Sequence, residues 1–79
     1  EMELQVYPNP TRDKVNVHIG RSVIEEIRLF NAAGILVLVQ EGQDSRQAEI
    51  DLSKHPSGLY LLQIECPEGS MIYKMQISR

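Results

Sequence analysis

The sequence predicts an all-β protein, an antiparallel sandwich of seven short strands, and three observations lead there. Apolar and polar residues alternate with a period of two through most of the chain, the spacing of a half-buried strand. Turn-forming residues interrupt that alternation every 8–14 positions, a rhythm typical of sandwiches. Composition is balanced, with 42% apolar and 24% charged residues, which suits a folded core and not a disordered tail. At 79 residues there is room for one domain, which buries only roughly 60–65% of its unfolded surface.

Leu4-Gln5-Val6-Tyr7 opens the first strand, and Pro8-Asn9-Pro10 closes it, because proline cannot donate to a sheet ladder. After Thr11-Arg12-Asp13, the β-branched side chains of Val15, Val17 and Ile19 share one face of the second strand. Gly20 ends it. A third strand is expected at about 26–31, before the turn Asn31-Ala32-Ala33-Gly34 with Asn first and Gly fourth. A short helix over 23–33 competes here. Ser22-Val23-Ile24-Glu25 fits a capping box, and Val23, Ile27 and Phe30 recur at helical spacing. The strand is favoured, since a lone helix between strands would need its own packing partner. The near-continuous aliphatic run 35–39 reads as a central strand, and Glu41–Ser45 as a polar loop. Residues 48–52 alternate again, 53–58 turn the chain, and the sixth strand runs over 59–65. Pro67-Glu68-Gly69 makes the last turn before a strand at 71–77.

Several function classes are excluded or disfavoured. The aliphatic run is far shorter than the ~20 residues of a membrane helix, so no membrane insertion is expected. One cysteine, Cys66, cannot form an intrachain disulfide and reads as a small apolar residue. Net charge is −3, with five acids and four bases in residues 1–40 and six and four in 41–79. That even spread along the chain lacks the basic stripe of a nucleic-acid binder. His18 alternates with Val17 and Ile19 and should face solvent, while His55 lies in a turn; neither has ligand partners at metal spacing. Ser, His and Asp occur in no nucleophile motif, and the paired carboxylates (Glu25 with Glu26, Glu49 with Asp51) lack a deep cleft. Glycines 20, 34, 42, 58 and 69 are isolated, so no phosphate cradle is present. Neither catalysis nor a cofactor is expected.

Punctuation is the informative part. VYPNPTRDKVNVHI, IRLFNAAGILV, IDLSKHPSGLYLLQI and the closing IYKMQISR stand in order over residues 6–79. Together they resemble the C-terminal sorting domain of the type IX (Por) secretion system. His55 departs from the apolar residue more usual before that family's Pro-Ser-Gly turn, and Arg21–Glu26 matches nothing distinctive. The resemblance implies an immunoglobulin-like sandwich at the end of an exported Gram-negative cargo. It implies an outer-membrane β-barrel shuttle protein as recognition partner. It also implies removal by a sortase, which can link the cargo to lipopolysaccharide. Localisation would run from periplasm to outer membrane, cell surface or medium. Opening on Glu1 instead of Met, the 79 residues read as one sorting domain cut from a longer protein, with cargo attached on the N-terminal side.

If each strand reverses direction, the loops 8–13, 31–34 and 53–58 fall at one end with the C-terminus. Pro8, Asn9, Pro10, Asn31, Gly34, Pro56, Gly58, Tyr60, Lys74 and Arg79 are the residues expected to be read there. A purely structural role stands beside that expectation. The prolines and glycines can serve backbone geometry, Asn9 and Asn31 can cap their own turns, and Tyr60 can pack inward with its hydroxyl at the rim. Lys74 and Arg79 can keep an edge strand soluble. Two other functions compete: a carbohydrate- or surface-binding accessory sandwich, and a spacer or strand-paired dimerisation module. The first needs Tyr7, Tyr60 and Tyr73 on one exposed face.

Overall fold

A computed structural model of the chain describes residues 3–79. Seven strands form two antiparallel sheets: β1 (Leu4–Tyr7), β2 (Lys14–Ile19), β3 (Ile24–Asn31), β4 (Leu36–Ser45), β5 (Gln47–Asp51), β6 (Gly58–Cys66) and β7 (Gly69–Ile77). One sheet has the order β1-β2-β5 and the other β4-β3-β6-β7. In immunoglobulin terms this is ABE against C′CFG, so the expected all-β sandwich is what forms.

The alternation places one side chain of each pair inward. Val15, Val17 and Ile19 of β2 meet Ile27 and Leu29 of β3 and Leu62 and Ile64 of β6, all fully buried. Ile50, Leu52, Met75 and Ile77 close the core. The stretch with helical spacing is a strand, because β6 pairs with it residue for residue from Glu26↔Glu65 to Asn31↔Tyr60. Its apolar residues Ile27 and Leu29 then satisfy the sheet's period of two.

Two expectations about β4 are corrected. The aliphatic run is not central: β4 lies at the edge of its sheet, and Ile35, Leu36 and Val39 are exposed. Nor is Glu41–Ser45 a loop, since β4 continues to Ser45. The cause is Gly42, which is buried where an added Cβ would lie 2.0 Å from the Ile24 carbonyl oxygen. Only glycine lets β4 cross over Ile24 and hand the chain to the other sheet.

Both seams of the sandwich are stitched by the chain itself. On one side β4 runs almost directly into β5, and Gln40 Nε2 donates to the Glu49 carbonyl at 3.1 Å. On the other, the chain leaves β1 and Thr11 joins β7 by a parallel bridge to Ile77. The Thr11 amide donates to Gln76 O at 2.9 Å, and Ser78 N donates to Thr11 O at 2.8 Å.

Candidate recognition surface

The strand registers decide where the three bends lie. Tyr7 pairs with Asn16, Lys14 with Asp51, Asn31 with Tyr60 and Gly58 with Ile77. Loops 8–13, 31–34 and 53–58 therefore gather at one pole, together with Ser78 and Arg79. At the opposite pole Gly20 N donates to Glu3 O at 3.0 Å, and Ser22 hydrogen-bonds Glu68.

Each bend is tied into the fold by the residues that mark it. Asn9, between Pro8 and Pro10, does not cap its own turn as expected. Its Oδ1 accepts from Gln76 N at 3.0 Å and its Nδ2 donates to Lys74 O at 3.3 Å, so it extends the edge of β7 as a backbone amide would. Asn31 does cap its own turn: its Oδ1 accepts from Ala33 N and Ile35 N, both at 3.0 Å. Gly34 closes that turn at φ 82°, a left-handed conformation that glycine adopts without strain. Buried Tyr60 sends its hydroxyl to Pro56 O at 2.6 Å, four residues upstream, the tyrosine corner of immunoglobulin-like sandwiches. His55 meets the Tyr60 ring edge-on at 6.4 Å.

Arg79 acts as a clamp. Its guanidinium donates to Leu52 O at 2.8 Å and to His55 O, and its amide donates to Ser57 Oγ at 3.2 Å. The planar fork suits two converging carbonyls, and the charge is thereby held against loop 53–57. Lys74 differs. It stands exposed on the outer face of β7, and among the described residues its ammonium has no ion pair. Beside it lies a shallow cleft of about 240 Å³, walled by Asn31, Ala32, Gly34, Leu59, Leu61 and Tyr60. Nine of the ten expected residues thus lie at one pole, with Lys74 beside it, and Asn9, Asn31, Gly34, Pro56, Tyr60 and Arg79 take part in bonds that shape it. The apolar wall of Leu59 and Leu61 was missed. Outward-facing Leu in an alternating strand was the available signal.

Electrostatics are polarised in a way the linear charge count hides. The bend pole carries Arg12, Lys14, Lys54 and Arg79 against Asp13 and Asp51, with Lys74 nearby. The far pole gathers Glu3, Glu25, Glu26, Glu41, Asp44, Glu65 and Glu68 against Arg21 and Arg46, with Arg28 paired to Glu26. Asp51 is held below the usual carboxylate value chiefly by the Ser53 amide at 2.9 Å, then by the Ser53 hydroxyl, with Lys14 and Lys54 adding to it. Burial first, and then Glu68, Glu25 and Glu65, push the Cys66 thiol up. No three metal-ligating side chains converge among the described residues.

Over residues 5–78 the sequence matches the family described as secretion system C-terminal sorting domain. The chain belongs to the type IX (Por) sorting-domain family. A sorting domain of this kind is a C-terminal secretion signal: it directs the polypeptide carrying it to the cell surface or beyond and interacts with the secretion machinery. A relative from Nonlabens ulvanivorans, ulvan lyase NLR42, is 30% identical over 66 residues, covering 84% of this chain and 12% of that enzyme. The sorting domain thus spans about an eighth of that relative's length. Three of the four motifs read in the sequence carry the bends at this pole, and the fourth ends there with Ser78 and Arg79.

Proposed function

We propose that this sorting domain is a non-catalytic address label, carried C-terminally by a larger exported cargo and read at the bend pole by an outer-membrane β-barrel shuttle protein. A sortase then removes it, leaving the cargo on lipopolysaccharide or free. The observation that carries this reading is the convergence of loops 8–13, 31–34 and 53–58 on one pole, while Glu3 lies at the other. Cargo attached before residue 1 would trail away from the read surface. The accessory sugar-binding reading gains nothing here: Tyr60 is buried, Tyr73 half-buried, and only Tyr7 is exposed.

The test is export of a periplasmic reporter fused ahead of residues 1–79 in a host that has the system. Surface delivery followed by loss of the domain is expected. Lys74→Glu and Arg12→Glu change exposed charges at the bend pole and should block export without lowering Tm. Gln43→Ala and Glu41→Gln, toward the far end, should leave it intact. Asn9→Ala, Asn31→Ala, Gly58→Ala and Arg79→Ala should lose export together with stability, because their bonds or backbone shape the pole. Equal loss from both poles at unchanged Tm would refute the assignment.

A further inference from the structure

Two clefts adjoin at the bend pole. The one beside Lys74 and a second of about 270 Å³ share Asn31, Ala32, Leu59 and Tyr60 as walls. The second opens between the turn 31–34 and the loop 55–58, and Ala33, Val37 and Pro56 give it an apolar lining. Small residues leave the room. Ala32 and Ala33 are exposed and carry only a methyl each, and Gly34 has open space where a Cβ would stand.

Both walls are fixed before anything binds. Asn31 Oδ1 holds the Ala33 and Ile35 amides at 3.0 Å on one side, and the Tyr60 hydroxyl grips Pro56 O at 2.6 Å on the other. A pre-organised groove spares an occupant the cost of ordering its site. Cations flank both clefts. Lys74, without an ion pair among the described residues, lines the first. Lys54 adjoins His55 in the wall of the second, and the Arg79 guanidinium is held on the His55 carbonyl. The pole's acids, Asp13 and Asp51, line neither cleft, and Asp51 is engaged by the Ser53 amide beside Lys14.

We infer that this groove receives a loop of the shuttle protein in which apolar side chains lie between carboxylates. The apolar lining takes the side chains, and the flanking cations take the acids: Lys74 on one side, Lys54 and Arg79 on the other. Exposed charges of this kind steer encounter and exclude wrong partners more than they add affinity, while the lining supplies the burial. A loop with bases in place of the acids would meet like charge on both sides. The far pole, with its surplus of carboxylates, is unsuited to the same partner. The assignment rests on the shuttle reading of the bend pole and adds the chemistry of what docks there.

Binding can be tested on the 79-residue chain without the export machinery. Two blocked peptides serve as probes, acetyl-Asp-Leu-Phe-Asp-amide and acetyl-Lys-Leu-Phe-Lys-amide, followed through backbone amide shifts in NMR titrations. The acidic peptide should give saturable shifts at Ala32, Ala33, Ser57, Gly58 and Lys74, with Kd on the order of 1 mM. Raising salt from about 50 to 500 mM should weaken it several-fold. The basic peptide should give no shifts there. Ala33→Phe fills the cleft from an exposed turn position, so it should remove the shifts and block export at unchanged Tm. Lys74→Glu should weaken the acidic peptide several-fold. Equal binding of the two peptides, shifts elsewhere, or none at all overturns the inference. So does export that survives Ala33→Phe while Arg12→Glu and Lys74→Glu abolish it. Export indifferent to all three variants overturns instead the shuttle reading of the pole on which the inference rests.

Discussion

Tyr60 shows how a single hydroxyl holds a pole. Removing it in Tyr60→Phe leaves the Pro56 carbonyl without its partner and should cost about 1–2 kcal/mol, read as a lower urea midpoint with unchanged slope. Asp51 gives the pole an acid sensitivity. Its folded-state value lies below the ordinary 3.8, so its contribution is intact above that pH and is lost as pH falls through the lower folded value. Urea midpoints should drop less between pH 5 and 2.5 for Asp51→Asn than for the parent. Cys66 has the opposite sign. Burial keeps its thiol protonated, so native chain should resist alkylation at pH 8 while urea-unfolded chain reacts readily.

At the scale of elements, β4 is the instructive strand. Its aliphatic run looked central because unbroken apolar sequence usually means burial on both faces. Here it marks an edge strand with an exposed outer face, and composition cannot tell a core neighbour from a docking neighbour. Gly42 was legible only as an isolated glycine. Its close approach to Ile24 depends on where β4 crosses β3, a tertiary fact. Gly42→Ala should therefore destabilise by about 3 kcal/mol or more, or prevent folding, as followed by circular dichroism and expression in soluble form. By contrast β1, β2 and β6 were readable almost to the residue, since strict alternation with one buried face pins the register. The helix alternative at 23–33 failed because β4 and β6 pair with that segment on both sides and supply the ladders it needs.

For the molecule as a whole, gathering the bends at one pole followed from strand count alone, because the six reversals between seven strands sort the loops by parity. What parity could not supply was the bonding between them. Asn9 reaching β7, Arg79 gripping 52–57 and the polarity of charge all join residues far apart in sequence. No local pattern encodes such pairs. Removing residues 78–79 should test that bonding, with a drop in Tm of several degrees, as expected for a small domain losing about 1 kcal/mol or more.

That last pair of residues has a consequence for biosynthesis. Ser78 and Arg79 hold loops drawn from the beginning and the middle of the chain, so the pole is not fully tied while a ribosome still hides them. A copy lacking these two residues would keep all seven strands yet present a loosened badge, so the fold itself registers whether they are there.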